Sequence, residues 1–446
     1  MNARLYWYDD ETDSWADIQK RQATLLPEFV RRLQLRSGLY AHRLAAVRAD
    51  AATSVDALVD LPFTTKDDLR DGQAVPVPGA ILGTQQCAAT DDLEQVISSS
   101  GTTGVPVYFG QTAHDRAEWT DAIAAMFFTA GVGPTSVAAL STGMPMVAGG
   151  LPYADGIRNT GAALVWFGGQ PTARMVTALE RVSVNTLIAT ASFATYFSKK
   201  VDELAGAPAR SLNIRTIVAG GEPGAGQPEV RSAIADAWGA ERVSEVMGLG
   251  DVLSGMWAEC DAGGGMHFTA YRSVLVELID PTSESQIEWS EGACGELVYT
   301  TLTREATPVL RFRSRDHIVV TGMDCPCGRR TPRIRCIGRT DDMLIYKAMN
   351  VFPSAIRDVA LSVAAGMIEE TMRLRKSSVD QVRFDYPIPL EVELKTPLDD
   401  ARTHALSEKI QKAVQERLRV RVAVEIKKPG TIEVGVYKNS LTYVAQ

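Results

Sequence analysis

The chain has 446 residues, of which 45% are hydrophobic and 22% are charged, with a formal net charge of -8. The length predicts two or three domains, and the acidic balance excludes a general attraction to nucleic acid or anionic lipid. The first ten residues include acidic side chains where a signal peptide is apolar, and no apolar run is as long as a membrane span. We therefore expect a cytoplasmic protein without membrane or nucleic-acid partners, whose six cysteines are reduced.

The first hundred residues are predicted to be mainly helical. Apolar residues recur at helical spacing over 18–35, and the alanine-rich stretch 41–59 continues this pattern. In LPFTTKDDLR at 61–70, a threonine followed three residues later by an aspartate indicates a helix start. Taken alone, this segment is scaffold.

A run of small and hydroxylated residues, SSSGTTGVP, occupies 98–106. Its glycines let the backbone turn tightly and expose N–H groups, so the loop is suited to grip an anion such as a polyphosphate. It lacks the lysine of the Walker-type loop, so a cation for the phosphates must come from elsewhere in the chain. An ordinary turn between strands is the alternative, which the length of the run disfavours.

Short apolar runs alternate with helical patterns between residues 113 and 238. Helices are predicted at 113–130, 172–182 and 228–238, and strands at 136–140, 163–167, 186–189 and 216–219. Such alternation is typical of helices packed on a mostly parallel sheet, in which ligands gather beyond the carboxyl ends of the strands.

Two of these strand ends carry candidate ligand-binding residues. The paired glycines of GGEP at 220–223 would let a flat heterocycle or a carboxylate approach the backbone, although a plain strand-to-helix loop fits equally well. Asp251 closes MGLGD at 247–251 and could hold a divalent cation through oxygen. A lone aspartate there is more often a helix cap.

From residue 270 the pattern changes to short alternating strands. These are predicted at 273–279, 296–301, 309–312 and 318–321, and they indicate a β-rich subdomain on the larger sheet. Within it, Asp316 ends RFRSRD at 311–316 and could accept two hydrogen bonds from a sugar diol. Pairing with the neighbouring arginines is the alternative.

Four metal-binding side chains group within the same subdomain. They are Cys260, His267, Cys325 and Cys327. Three thiolates and one imidazole are the ligands of a closed tetrahedral zinc site, which would be structural because no coordination position stays open. Free thiols that never meet are the alternative. The other cysteines, Cys87, Cys294 and Cys336, are predicted to lie in the core.

The charged junction GRTDD at 338–342 predicts a domain boundary and hinge. Beyond it lies a small unit with helices predicted at 352–365 and 401–417, strands at 381–384, 390–394 and 420–426, and Lys438 on a glycine-bearing loop. The predicted fold is therefore α/β. A large N-terminal domain of helix-flanked sheets, 1–338, includes the β-rich part at about 260–336, and a small mobile α+β domain follows at 339–446.

These segments resemble the adenylate-forming enzymes, which comprise acyl- and aryl-CoA ligases, peptide-synthetase adenylation domains and luciferases. The motifs stand in the family's order: SSGTTGVP at 99–106, GGEP at 220–223, GL at 248–249, RFRSRD at 311–316, GRTDD at 338–342 and Lys438. The phenylacetate-CoA ligase-like branch is closer still, through LPFTTK at 61–66, TASF at 190–193, CPCGR at 325–329 and NVFP at 350–353. The resemblance covers nearly the whole chain.

The resemblance implies a role for each matching residue. The residues implied in nucleotide binding are Ser99, Ser100, Gly101, Thr102, Thr103 and Gly104 at the phosphates, Gly221, Glu222, Pro223, Met247 and Gly248 around the adenine, and Asp316 with Arg339 at the ribose. Lys438, Thr103 and Asp251 are implied as catalytic, with Lys438 bridging the carboxylate and the α-phosphate and Asp251 holding magnesium. The small domain would rotate about Asp341, and zinc at the four ligands fits the branch.

The implied activity is ATP-dependent activation of a carboxylic acid, expected to be aromatic, as an acyl-adenylate that is passed to coenzyme A. Four positions depart from the family: Met247 replaces an aromatic residue, Gly250 replaces a Ser or Thr, Asp251 replaces a Glu, and Ala348 replaces a glycine beside the CoA tunnel. Transfer to an amine or a carrier protein, or a degenerate nucleotide-binding protein, are the alternatives. The acid pocket is expected among the loop after Ala139, residues 191–193 and the residues flanking Gly221 and Gly248. Tyr153, Trp166 and Phe193 are candidate walls or core residues. Members of the branch are often dimers, so a homodimer is also expected.

Overall fold

The computed structural model describes residues 5–99, 106–143, 145–222, 224–340, 342–347, 349–364, 366–378, 381–432 and 441–444. Of the residues singled out above, those outside the described residues are Ser100, Gly101, Thr102, Thr103, Gly104, Pro223, Asp341, Ala348 and Lys438. The helices are α1 (Trp15–Arg36), α2 (Gly38–Arg43), α3 (Lys66–Ala74), α4 (Ala113–Thr129), α5 (Leu151–Asn159), α6 (Thr172–Val182), α7 (Ala191–Leu204), α8 (Pro228–Trp238), α9 (Pro353–Ala364) and α10 (Asp400–Leu418).

The strands of the N-terminal part are β1 (Gln95–Ser98), β2 (Tyr108–Gln111), β3 (Val137–Leu140), β4 (Ala163–Trp166), β5 (Thr186–Ala189), β6 (Thr216–Gly220), β7 (Arg242–Leu249), β8 (Leu253–Glu259), β9 (Met266–Phe268), β10 (Val274–Ile279), β11 (Cys294–Thr301), β12 (Phe312–Gly322) and β13 (Arg333–Arg339). Those that follow are β14 (Leu344–Tyr346), β15 (Met349–Val351), β16 (Ile368–Lys376), β17 (Arg383–Phe384), β18 (Ile388–Leu394), β19 (Val422–Lys427) and β20 (Thr442–Val444).

One eleven-stranded sheet organises the large part of the chain. Its order is β10-β11-β12-β13-β9-β8-β7-β6-β5-β3-β4. The strands from β4 to β7 pair in parallel, and the rest pair antiparallel, so the β-rich subdomain continues the parallel sheet. The α/β prediction is confirmed, and the sheet brings the carboxyl ends of β6 and β3 to one edge.

Helices cover both faces of the parallel strands. Buried residues of α4 and α5 belong to one apolar core, which extends under the antiparallel strands, and those of α6, α7 and α8 form a second core. Two cores of this kind follow from strands that are apolar on both faces.

The prediction of continuous helix over 41–59 is wrong. Helix α2 ends at Arg43, and only two 3-10 turns follow, at Ala49–Ala51 and Asp56–Asp60. Short polar side chains interrupt the alanines here. The Ser54 hydroxyl accepts a hydrogen bond from Ala57 N at 3.2 Å, which gives the backbone a local alternative to the helix.

The predicted strands 309–312 and 318–321 are also wrong in their bounds, because the single strand β12 spans the second and starts at the end of the first. Arg311, with a φ of 45°, turns the chain just before this strand. Its buried guanidinium is held by Glu277, at 2.9 Å and 3.1 Å, which stabilises this left-handed residue.

The residues after 342 have a core of their own. Buried side chains of α9, α10, β16 and β18 form an apolar cluster separate from the other cores, and the sheet order is β19-β18-β16-β20. This unit touches the large part through Gln227 and Asp358, 2.5 Å apart, and through Lys199 and Glu369, 3.0 Å apart. Within the described ranges, no helix has both the length and the apolar composition of a bilayer span.

Candidate active site

The hairpin of β1 and β2 brackets the predicted anion-binding loop. Ser99 N donates to Val107 O at 2.9 Å, and the buried Ser99 hydroxyl accepts from Val107 N at 3.2 Å. Ser98 N donates to Met146 O at 2.9 Å, which fixes this end of β1 against the segment after β3. Ser99 and Val107 therefore hold the two ends of the loop together, and we call this pair of residues the neck of the loop.

Asp251 lies in the turn between β7 and β8, beside that neck. A Cβ added to Gly250 would lie 3.4 Å from Ser99 Cα and 3.1 Å from Ala148 Cβ, so the turn packs closely on the base of the loop. Asp251 is only 5% exposed and no helix starts after it, so the helix-cap alternative is wrong. A buried carboxylate at this position requires a charged or metal partner.

The partner of Asp251 is Lys66, which the sequence did not mark as a functional residue. Lys66 Nζ lies 3.2 Å from Asp251 Oδ1 and 3.4 Å from Oδ2. Within the described part of the chain, Oδ1 accepts no hydrogen bond of normal geometry and Lys66 is its only cation within 4 Å. Both carboxylate oxygens therefore face the Lys66 ammonium, and magnesium at Asp251 stays a prediction.

Arg304, a second basic residue that the sequence did not mark, lies under the same turn. It is 3% exposed, and its Nη1 donates to the carbonyl oxygens of Asp251 and Val252 at 3.0 Å and 3.2 Å. Its guanidinium lies between the rings of Phe109 and Trp119, 5.1 Å and 5.3 Å from the centroids. Burial lowers its pKa to about 10, so it stays positively charged at neutral pH.

The predicted adenine-binding strand end is formed by β6 and β7 side by side, with Gly220 opposite Val246. Gly221 has a φ of 85°, which favours glycine, and the Glu222 carboxylate accepts a hydrogen bond from Ser192 N at 2.6 Å. A Cβ at Gly248 would lie 2.0 Å from Ser254 O, so only glycine fits there. Met247 and Gly248 thus follow Val246 along β7, next to the Gly221 turn.

Asp316 and Arg339 face each other across β12 and β13. They are register partners, and Arg339 Nη1 lies 3.5 Å from Asp316 Oδ1. Burial, together with the charges of Asp316 and Glu245, raises the pKa of the Cys336 thiol. Asp316 on β12 and Glu245 on β7 therefore act on the same half-buried thiol. The arginines that precede Asp316 in the sequence pair with glutamates instead, Arg311 with Glu277 and both Arg313 and Arg315 with Glu296. The ribose role of Asp316 and Arg339 stays a prediction.

Each of the three candidate pocket walls is tied to the scaffold. Tyr153 donates its hydroxyl to Ser254 O at 3.0 Å, and Trp166 Nε1 donates to Thr142 O at 2.7 Å. Phe193 packs on Phe197, with ring centroids 5.2 Å apart. Trp166 therefore fixes the segment after β3, and Tyr153 connects α5 to β8.

Cys260, His267, Cys325 and Cys327 do come together. Their candidate ligand atoms all lie within 4.8 Å of one another. Cys260 Sγ lies 3.7 Å from Cys325 Sγ, and Cys327 Sγ lies 3.5 Å from His267 Nε2. Tetrahedral zinc with Zn–S of about 2.3 Å separates two sulfurs by about 3.8 Å, and a sulfur from a nitrogen by about 3.5 Å, so these side chains fit the ion.

The remaining cysteines divide between core and surface. Cys87 is buried and Cys336 is half-buried, but Cys294 is exposed, so its predicted core position is wrong. Cys294 is the first residue of β11, where the strand emerges from a turn.

No family model matches the chain. Among curated proteins, the phenylacetate-coenzyme A ligase of Thermus thermophilus is 28% identical over 399 residues, which cover 86% of each chain. That of Pseudomonas putida is 26% identical over 400 residues, 89% of this chain and 87% of the relative. These similarities confirm the resemblance drawn from the motifs.

The solved structures share the whole fold. A 2-hydroxyisobutyryl-CoA ligase in the postadenylation state, in complex with R3-HIB-AMP, has a TM-score of 0.89 at 22% identity and covers 100% of this chain and 93% of its own. The same enzyme in the thioesterification state, with 2-HIB-AMP and CoA, has a TM-score of 0.71 at 23% identity, with coverages of 100% and 93%. The overlap with this chain is greater in the postadenylation state.

Proposed function

We propose that this chain, a homologue of the phenylacetate-coenzyme A ligases among the adenylate-forming enzymes, is an AMP-forming acid–thiol ligase. It activates an aromatic carboxylic acid with ATP and transfers the acyl group to coenzyme A. The observation that carries the proposal is the buried Asp251 at the neck of the hydroxyl-rich loop, in a chain whose relatives cover 86% of it. The aromatic nature of the acid is carried over from the names of those relatives.

The proposed reaction has two steps. A carboxylate oxygen attacks the α-phosphorus of ATP, the bond to the oxygen bridging to the β-phosphorus breaks, and pyrophosphate leaves with the bonding electrons. The CoA thiolate then attacks the carbonyl carbon of the adenylate, and AMP leaves. In the first step Asp316 and Arg339 would hold the ribose, and Gly221, Glu222 and Met247 would border the adenine.

Magnesium would be held by Asp251. Oxygen ligands are those that magnesium prefers, and the Oδ1 atom of this carboxylate has no normal hydrogen bond within the described residues. When bound, the ion would neutralise phosphate charge. Arg304 donates to the backbone carbonyl oxygen of Asp251 and so helps to hold this residue, with its carboxylate, in position.

The small C-terminal unit is proposed to be a mobile lid at 339–446 that turns about Asp341, on a body at 1–338. Its own apolar core supports this division. Zinc at Cys260, His267, Cys325 and Cys327 is proposed as a structural ion, on the distances given above. The cytoplasmic location and the homodimer stay predictions from the sequence.

The function is tested by incubating the purified protein with ATP, magnesium and a panel of aryl acids. We expect acid-dependent release of pyrophosphate, followed by consumption of CoA. Pyrophosphate release without CoA consumption would favour transfer to an amine or carrier protein. ATP binding without pyrophosphate release from any acid would contradict an enzymatic function.

Replacing Asp316 with alanine should raise the KM for ATP about tenfold or more, because a carboxylate hydrogen bond to the ribose contributes about 1.5–3 kcal/mol. The measurement is pyrophosphate release at varied ATP and saturating acid. Glu291→Ala, at an exposed turn of the same subdomain, is the control and should leave the KM unchanged. A normal KM in the Asp316 variant would refute the ribose role.

A further inference from the structure

We propose that Lys66 is a second phosphate-binding cation, which pairs with Asp251 while the site holds no nucleotide and pairs with the β- and γ-phosphates once magnesium occupies Asp251. This inference rests on the proposed function, since it assigns a further residue to the same nucleotide site. It supplies a lysine to a loop that lacks one of its own, from a segment 185 residues away from its partner.

The backbone before Lys66 is fixed to the large sheet. Thr64 N donates to Arg311 O at 3.0 Å and Arg313 N donates to Thr64 O at 2.9 Å, so Thr64 extends the sheet beside β12. Phe63 packs against the Arg311 guanidinium, whose central carbon lies 4.0 Å from the ring centroid. These contacts fix the direction in which the backbone enters residue 66, next to Asp251.

The start of α3 is fixed as well. The Thr65 hydroxyl accepts from Asp68 N at 3.3 Å, and Asp68 Oδ2 accepts from Thr65 N at 2.7 Å, a reciprocal capping arrangement. Asp68 is paired with Arg43 at 2.5 Å. Lys66 is therefore the first residue of a firmly anchored helix, and only its flexible side chain has freedom to move.

The charges around Asp251 favour an exchange of partners. Lys66 is 31% exposed in its side chain, whereas the Asp251 side chain is 7% exposed, so the ammonium lies at the solvent side of the pair. A magnesium ion bound to Asp251 would neutralise the carboxylate charge and repel the Lys66 ammonium. The displaced ammonium would then find the phosphates of the same magnesium complex within the reach of its four-carbon stem.

Arg304 adds a fixed positive charge to this site. Within the described residues it has no carboxylate partner within 4 Å, and its Nε and Nη2 have no hydrogen-bond acceptor. The charges of Asp115 and Asp251 act on it without direct contact and raise its pKa against the effect of burial. Lys66, on the solvent side of its pair with Asp251, is therefore the cation placed to meet a phosphate.

The test measures binding of inorganic pyrophosphate to the full chain by calorimetry, with magnesium and then with EDTA. With magnesium, Lys66→Met should weaken binding about tenfold or more, because a charge-assisted hydrogen bond is lost. Lys66→Arg should retain most of the affinity. Lys20→Met removes an exposed lysine that pairs with Asp17 and should leave the affinity unchanged.

The metal-free arm separates phosphate binding from a merely structural ion pair. In EDTA, Asp251→Asn should strengthen pyrophosphate binding several-fold, because Lys66 is released, and adding Lys66→Met should abolish that gain. The double variant removes both members of the ion pair, so neither charge of that pair is left alone, which guards against unfolding. If Lys66→Met leaves the affinity for pyrophosphate unchanged in both the wild-type and the Asp251→Asn protein, Lys66 is only a structural partner of Asp251.

The outcomes for Lys66 and for the proposed function are distinct. A wild-type protein that forms no acyl-adenylate with any acid overturns the ligase function, whereas the pyrophosphate measurements on the same protein still decide the role of Lys66. Conversely, an active wild-type enzyme whose Lys66→Met variant binds pyrophosphate normally would refute the inference alone.

Discussion

Replacing Lys438 with alanine should lower the rate of acyl-adenylate formation about 100-fold or more while leaving ATP binding nearly unchanged. Negative charge builds up between the attacking carboxylate and the α-phosphate only as the bond forms. A cation placed there stabilises the transition state by about 3 kcal/mol or more, and contributes little to the ground state. The affinity for ATP should therefore be retained when the rate is lost.

The segment that carries Lys438 is tethered to the lid on both sides. Before it, the Glu393 carboxylate accepts hydrogen bonds from Gly430 N at 2.6 Å and from Ile432 N at 2.5 Å. After it, Leu374 N donates to Leu441 O at 2.8 Å, where β20 begins to pair with β16. A rotation of the proposed lid would therefore move both described flanks of this segment together.

The measurement is single-turnover formation of acyl-adenylate, with ATP affinity determined separately. Lys428→Ala, an exposed lysine of the same lid just after β19, is the matched control and should behave as wild type. An unchanged rate in the Lys438 variant would mean that another residue supplies the charge. Lys66 would be the first candidate, so the double variant Lys66→Met with Lys438→Ala would then be the decisive comparison.

The parts of the site that sequence predicts are those whose chemistry is uncommon or whose motif is long. The thiols and the imidazole of Cys260, His267, Cys325 and Cys327 could be grouped because such ligands are rarely placed together by chance. Asp316 and Arg339 could be paired because ordered motifs of a known family contain both. Their register across β12 and β13 needed the structure.

Lys66 and Arg304 were missed for a physical reason. Each acts on Asp251 through tertiary contacts, and neither lies in a local pattern that differs from a solvated or core side chain. Thr65 and Asp68 announce a helix start, but a cap says nothing about where the first side chain of the helix points. The family motif LPFTTK was the one available signal for Lys66.

The wrong helix at 41–59 has a related cause. Alanine spacing favours a helix, yet the short polar residues between the alanines bond to nearby backbone, and packing on the buried residues of α1 favours compact turns. Local propensity could predict the long helix α4, whose capping box and apolar residues agree, because no competing interaction opposes it.

The purified protein should contain about one zinc ion per chain, and Cys325→Ser should lose it. The Cys260–Cys325 and Cys327–His267 ligand atoms are already at the separations of a tetrahedral site, and all four lie within 4.8 Å of one another, so little rearrangement opposes binding. A ligand present at about 1,000 times its Kd stabilises a folded protein by about 4 kcal/mol, and loss of the metal should lower the Tm markedly.

The contacts around the cysteine cluster explain why loss of the zinc ion should also destabilise the N-terminal segment. Tyr6 donates its hydroxyl to Cys327 O at 3.0 Å, and Arg329 pairs with Glu11 at 2.6 Å, so the N-terminal segment rests on the cysteine turn. Glu11 in turn accepts from Trp7 N and Tyr8 N, at 2.8 Å and 3.0 Å. Removing the ion should loosen this segment together with the strands that carry the ligands.

Elemental analysis and thermal unfolding are the measurements, with Cys294→Ser as the matched control because that thiol is exposed and is not one of the four candidate ligands. The control should keep both the zinc and the Tm, which would separate a metal effect from the loss of any cysteine. Less than a tenth of an equivalent of zinc in wild-type protein purified without chelator would count heavily against the site. Normal stability in Cys325→Ser would mean that the side chains meet through packing alone, and that the subdomain is held by the apolar core beneath β8 and β9.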